Sequence, residues 1–289
     1  MKKRMERKRI PALLLSMLLM FSCVVPVSAA GNVEGSEGVA SAWTAEDFLY
    51  GEMEIALYPA GEYVSTPNFT LWVVTGLSEA GTVKLETNKD LVIPATDADG
   101  KKVQGIGNKA FYNLGITSLS LPENVKASYD DSTWETTGKG LTERGDFFIG
   151  SGAFQKNALT TLKLPEGVIY VGGNAFNSNQ LTSVKLPKTI MMVGSAAFGK
   201  NSISFVDFPK QTDFAFQADI QAFAVNKLTS VQIPANTEKL NKYVFFQNTG
   251  MEPITIGTAM EKKGGLVYMY KAEEGGQWID HLDAGTSNV

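Results

Sequence analysis

Ile149-Gly150-Ser151-Gly152-Ala153-Phe154-Gln155-Lys156-Asn157-Ala158-Leu159-Thr160-Thr161-Leu162-Lys163-Leu164-Pro165 is echoed by Val171-Gly172-Gly173-Asn174-Ala175-Phe176-Asn177-Ser178-Asn179-Gln180-Leu181-Thr182-Ser183-Val184-Lys185-Leu186-Pro187, and the two stretches share one skeleton. Its landmark is a small residue followed by Phe. That pair recurs as Ala110-Phe111, Ala153-Phe154, Ala175-Phe176, Ala197-Phe198, Ala222-Phe223 and a degenerate Val244-Phe245. A unit of about 22 residues therefore repeats, with about 21 extra residues before Phe154 and about three before Phe223.

The rest of the unit keeps register with the Phe. Three places on stands Asn157, Asn179, Asn201, Asn226 or Asn248, and five places on stands Ile116, Leu159, Leu181, Ile203 or Leu228. Eight and ten places on are the pairs Leu119/Leu121, Leu162/Leu164, Val184/Leu186, Val206/Phe208 and Val231/Ile233, each closed by a Pro at the eleventh: Pro122, Pro165, Pro187, Pro209 and Pro234. In the last unit Ile254 and Ile256 are displaced by one.

An apolar-x-apolar-Pro run has period two, so both aliphatics face one side of a short strand, and Pro marks where its pairing stops. The Phe and the aliphatic five places on then belong to the returning arc and fill the space behind the strand. The five or so large apolar side chains of one unit do not offset the entropy lost in ordering it. Units must stack and share their faces. The expected fold is a β-rich repeat solenoid, a right-handed superhelix with one short strand per 22-residue unit.

This unit, in Ile149 to Phe154 and Leu159 to Pro165 and in their copies, resembles the BspA-like (treponemal-type) class of bacterial leucine-rich repeats, over about residues 83–256. The stretch from Thr75 to Pro94 also looks like the segment that often precedes such arrays. The chain departs from the pattern in its 21-residue insertion, its irregular fifth unit, and Asn where many family units carry Cys. The resemblance implies a surface protein that binds host or neighbouring-cell components and has no catalytic residues of its own.

Around the array, residues 1–30 have the order of a signal peptide: six Lys and Arg, an apolar run from Ala12 to Val25, then Pro26-Val27-Ser28-Ala29-Ala30. The run has fourteen residues, short of a membrane-spanning helix, so cleavage is expected after Ala29 or Ala30, with no membrane insertion afterwards. Cys23, the only cysteine, lies within it, and the bulky Phe21 two places earlier is a poor match to a lipid-modification site. Residues 31–42 read as a flexible linker, 43–82 as a β-rich N-terminal cap, 83–256 as the solenoid with its insertion at about 127–147, and 257–289 as a C-terminal hairpin and tail.

Cleavage would leave 20 basic against 29 acidic residues, a net charge of −9. Nucleic acid is therefore a poor partner, because it needs clustered basic residues. Without cysteine, and with His281 as the only histidine, no zinc cluster or His-based triad can be assembled. Gly105-Ile106-Gly107-Asn108-Lys109-Ala110 imitates a dinucleotide fingerprint, and Gly194 to Lys200 a phosphate loop, but both are by-products of the repeat's Gly before its Phe. Asp97-Ala98-Asp99-Gly100 begins like a calcium loop and lacks the third ligand and the closing Glu, so a turn is the better reading. No enzyme activity and no cofactor are expected.

A binding function is expected instead: a secreted, extracellular or cell-surface protein adhering to a protein or glycan at a cell surface. The alternatives are a structural display module of a larger surface protein and a carboxylate-based glycosidase. Residues seven and nine after the Phe alternate with the buried aliphatics and should form two exposed ladders, Ser118, Thr161, Ser183, Phe205, Ser230 and Ser120, Lys163, Lys185, Asp207, Gln232. From these, Lys163, Ser183, Lys185, Phe205, Asp207 and Gln232 are the candidate ligand-binding residues, centred on the aromatic Phe205 beside Lys185 and Asp207.

Overall fold

Stacked turns of chain are held together on three sides, by a strand, by a second strand, and by a hydrogen-bonded arc that carries the Phe. The structure, a computed structural model, describes residues 42–55, 69–123, 147–210, 212–213, 216–235, 237–241, 243–251, 267–270 and 278–282. The expected signal peptide, the linker except Ala42, and the insertion except Phe147 lie outside the described residues.

Strands dominate and helix is scarce. The first strands, β1 (Phe48–Ile55) and β2 (Phe69–Leu77), form an antiparallel pair, followed by the helix α1 (Glu79–Thr87). Next come β3 (Asp90–Val92), β4 (Gly105–Ile106), β5 (Ser118–Ser120), β6 (Phe147–Ile149) and β7 (Val168–Val171). The chain continues through β8 (Ser183–Lys185), β9 (Met192–Val193), β10 (Phe205–Asp207), β11 (Phe216–Ala218) and β12 (Thr237–Leu240) to the antiparallel pair β13 (Val267–Tyr270) and β14 (Trp278–Leu282).

One sheet of ten strands runs β1-β2-β4-β6-β7-β9-β11-β12-β13-β14, parallel from β2 to β13. Two smaller parallel sheets pair β3 with β5 and β8 with β10. The expectation of one strand per unit is therefore corrected: the units of β5, β8 and β10 carry two. Their Leu-x-Leu-Pro strand lies in a small sheet, while at Lys163 and Gln232 it shrinks to a single bridge residue, and the stretch before Gly-x-x-small-Phe, such as Val168–Val171, makes another strand in the large sheet. That second strand escapes a period-two reading because Phe147, Phe148 and Ile149 are all buried, so it shows no alternation.

The helix α1 is another departure, since residues 43–82 read as strands and α1 crosses residue 82. Ser78 begins it by accepting a hydrogen bond from the Gly81 N–H at 3.2 Å, an N-cap. With Leu85 buried and Val83 65% exposed, it carries no apolar stripe for a sequence reading to find.

The core is a column of rings. Phe111, Phe154, Phe176, Phe198, Phe223 and Phe245 stack face to face at centroid separations of 5.2, 5.4, 5.5, 5.2 and 5.8 Å, close to the spacing of paired strands. Around them pack Ile116, Leu159, Leu181, Ile203 and Leu228 from the arc, all fully buried, and Ile106, Ile149, Val171 and Val193 from the large sheet. At the N-terminal end Phe48 meets Phe111 edge-on at 6.2 Å, and the Trp43 indole N–H donates to the Asp90 carbonyl at the edge of β3. These contacts protect the first open rung of the array.

Each ring is bracketed by two left-handed residues, two places before and two places after it: Lys109 and Asn113, Gly152 and Lys156, Asn174 and Ser178, Ala196 and Lys200, Gln221 and Val225, Tyr243 and Gln247. The two bends fold the arc around the ring. They also turn alternate N–H groups toward the next unit, as in Phe154 N–H to the Ala175 carbonyl and Phe176 N–H to the Ala197 carbonyl, both 2.8 Å.

The Asn three places after the Phe ties neighbouring units together. The Asn179 carbonyl oxygen accepts from the Leu159 N–H at 3.1 Å, while its amide donates to the carbonyls of Phe154 at 2.9 Å and Phe176 at 3.0 Å. Asn157, Asn201, Asn226 and Asn248 make the same kind of link in their own units. A buried Asn is retained here because only a side chain with both a donor and an acceptor satisfies these backbone groups.

Where the large sheet passes into the arc, successive backbones nearly touch at glycine. A Cβ on Gly172 would lie 2.6 Å from the Ser151 nitrogen and 2.7 Å from the Gly150 carbonyl carbon. Neither atom belongs to a flexible side chain, so Gly172→Ala must push adjacent turns of the array away from each other. Its expected cost is about 3 kcal/mol, read as a fall in denaturation midpoint. A variant as stable as the parent would show that the turns are not packed this closely.

Candidate functional site

The two ladders are built by the small sheets. In β8 and β10 the register sets Ser183 opposite Phe205, Val184 opposite Val206 and Lys185 opposite Asp207. Val184 and Val206 point inward and are buried, so the residues on either side of them point out. Lys163 is bridged in parallel to Lys185, and on the N-terminal side Asp90 and Val92 of β3 pair with Ser118 and Ser120 of β5.

Four of the six candidate residues, Ser183, Lys185, Phe205 and Asp207, thus form one block on two strands. Lys163 adjoins it, and Gln232 stands exposed one unit further on. Phe205 is 59% exposed, an unusual position for a Phe, and the Lys185 ammonium lies 3.6 Å from the Asp207 carboxylate.

Lys163 and Lys185 are like charges directly opposite one another, an arrangement that costs energy unless it is compensated. Each leans to an acid on its other side, Lys185 to Asp207 and Lys163 to Glu123. The hydrogen bond and the charge of Lys163 hold the Glu123 carboxyl below the usual carboxylate range. The row Glu123, Lys163, Lys185, Asp207 is therefore neutral as a whole, with Glu123, Lys163 and Lys185 exposed and Asp207 half-buried, so its pairs are open to solvent screening.

Glu123 and Asp90 were missed by the sequence reading. Glu123 lies just beyond Pro122, outside the repeated positions. Asp90, which accepts from the hydroxyls of Ser118 at 2.8 Å and Thr117 at 3.2 Å, precedes the first complete unit. Also missed was a row across the large sheet, Val73, Gly105, Phe148, Tyr170, Met192, Gln217 and Lys239, in continuous register. Phe148 in it is fully buried, so the row does not offer a free surface at its apolar end.

Asp97, the candidate start of a calcium loop, has its carboxylate engaged by the protein itself. One oxygen accepts from the N–H groups of Asp99 at 3.0 Å and Lys101 at 2.8 Å, the other from the Trp72 indole at 2.8 Å. It shapes a turn. Among the described residues no three His, Cys, Asp or Glu side chains are grouped to hold a metal ion, and no helix is long and apolar enough to cross a membrane.

Solved structures of similar shape include a leucine-rich cell surface protein of Faecalibacterium prausnitzii A2-165, 17% identical with a TM-score of 0.43, covering 70% of this chain and 55% of that one. A leucine-rich repeat protein of Bacteroides ovatus ATCC 8483 is also 17% identical, with a TM-score of 0.37, covering 72% and 52%. This chain spans about half the length of each. No curated protein matches it. The BspA type leucine rich repeat region matches in six copies over residues 97–135 and 148–271, more than half of the chain, and the protein belongs to that family.

Proposed function

We propose that this protein is exported by its N-terminal segment, residues 1–30, and acts at the cell surface or outside the cell as a non-catalytic binding protein. Its repeats wind as a right-handed superhelix of about 22 residues per turn, and the face made by the two ladders contacts a protein or glycan of a host or neighbouring cell. The family is generally non-catalytic, and its repeat architecture suits protein binding. The observation that carries this reading is the block Ser183, Lys185, Phe205 and Asp207. It places an exposed aromatic beside a cation and an anion on a face that also carries the hydroxyls Ser118, Ser120, Thr161 and Ser230 together with Lys163 and Gln232. Exposed aromatics with adjacent polar groups are the usual anchors of recognition.

Phe205→Ala and Lys185→Ala are each expected to weaken adhesion to target cells by about tenfold while the melting temperature stays close to that of the parent. Whole-cell binding of fluorescently labelled protein measures the first and calorimetry the second. Equal binding by parent and both variants would remove the ladder face as the adhesive surface.

A further inference from the structure

We propose that the block Ser183, Lys185, Phe205 and Asp207 is a subsite for one neutral hexopyranose unit of a glycan. This rests on the reading of the ladder face as the binding surface and names its ligand class. The four residues occupy the corners of a rectangle. Its short side is the spacing of adjacent strands, about 4.8 Å, and its long side two residues of strand, about 6.6 Å. That footprint matches a single pyranose ring lying flat.

The chemistry at the corners fits the same ligand. Phe205 offers a hydrophobic surface to the C–H face of a sugar, and its 59% exposure leaves that surface open. Lys185 is a donor and Asp207 an acceptor, their charged atoms 3.6 Å apart, so adjacent hydroxyls of one ring can accept from the first and donate to the second. Ser183, opposite Phe205, adds a hydroxyl that donates or accepts. The charges favour a neutral sugar over an acidic one. Lys163 and Lys185 are already balanced by Glu123 and Asp207, and Asp207 would repel a carboxylate or sulfate placed at Lys185.

The test is saturation-transfer NMR on the intact protein with methyl glucoside, methyl galactoside and methyl mannoside, and with glucuronate as the acidic arm, each at about 10 mM. Transfer to the ring protons of at least one neutral sugar is expected. Phe205→Ala should abolish it, and Asp207→Asn should weaken binding about tenfold. The sign of the Asp207→Asn effect is decisive, because an acidic ligand would bind the variant more tightly. No transfer to any neutral sugar, transfer that survives Phe205→Ala, or glucuronate binding strengthened by Asp207→Asn would each overturn the proposal. If the sugars fail while Phe205→Ala still reduces cell adhesion, the ladder is a binding face for something other than a neutral hexose, a peptide included. If neither responds, the binding face itself lies elsewhere.

Discussion

Phe176→Ala is expected to cost about 3 to 5 kcal/mol, and the damage should extend to the turns on both sides. Its ring is fully buried and stacked between Phe154 at 5.4 Å and Phe198 at 5.5 Å, so truncation opens a void in the middle of the column. In a repeat array each unit is supported only by its neighbours, and a fault in one weakens the junctions it shares. Hydrogen exchange should speed up at the Phe154 and Phe176 amides, which bond across those junctions, more than at Val73 or Val74 in the β1–β2 pair. Phe205→Ala serves as the control, since the same truncation at an exposed position should change stability by no more than about 0.5 kcal/mol. Equal losses at the two positions would contradict the stacked column.

A comparably large effect is expected at Asn179. Asn179→Leu keeps the number and branching of the side-chain heavy atoms, adds bulk through its two methyls, and leaves the Leu159 N–H and the Phe154 and Phe176 carbonyls without that partner in a buried place, for a loss of about 3 kcal/mol. Asn179→Asp separates acceptor from donor. It retains an oxygen for the Leu159 N–H but brings a negative charge against two carbonyls, so its carboxyl is expected to titrate above the ordinary aspartate value of about 3.9. The folded form then holds its proton at pH values where the unfolded chain has lost it. Relative to the parent, the variant is least impaired below about pH 4 and loses stability as pH rises through the interval between the two titrations. Asn179→Leu should show no such trend. Chemical denaturation of both variants and the parent between about pH 4 and 7 measures this. Parallel curves for the two variants would show that the Asn179 amide does not donate to those carbonyls.

The features that repeat were legible in the sequence. Phe, Asn, the three aliphatics and Pro recur because each serves the junction between one unit and the next, and the same junction is built several times over. The ring column and the inward aliphatics of β5, β8 and β10 follow from that recurrence. What escaped lacked periodicity of its own. The second strand of each unit is buried on both faces at β6, so alternation is absent. The helix α1 is set by one local cap at Ser78. The Gly four places before most of the Phe residues was legible as part of the repeat, and the close approach of Gly172 to Ser151 supplies its physical reason. The outward ladders, and Phe205 beside Lys185 and Asp207 within them, were legible in the repeat. The ion pairing was not, because the balancing role of Glu123 depended on a contact 40 residues apart in the chain.

The amide ladder has a bearing on how such a chain changes over generations. Every rung joins one unit to the next through the same atoms, so the junction made by Asn179 is chemically the junction made by Asn201 or Asn226. Duplication or loss of a whole unit would recreate an identical seam and leave the antiparallel pairs at either end in place. Gaining a fraction of a unit would break one. Length is therefore a quantity that can be varied in whole steps, each adding one row to the outward face, and the array's reach is open to selection separately from its stability.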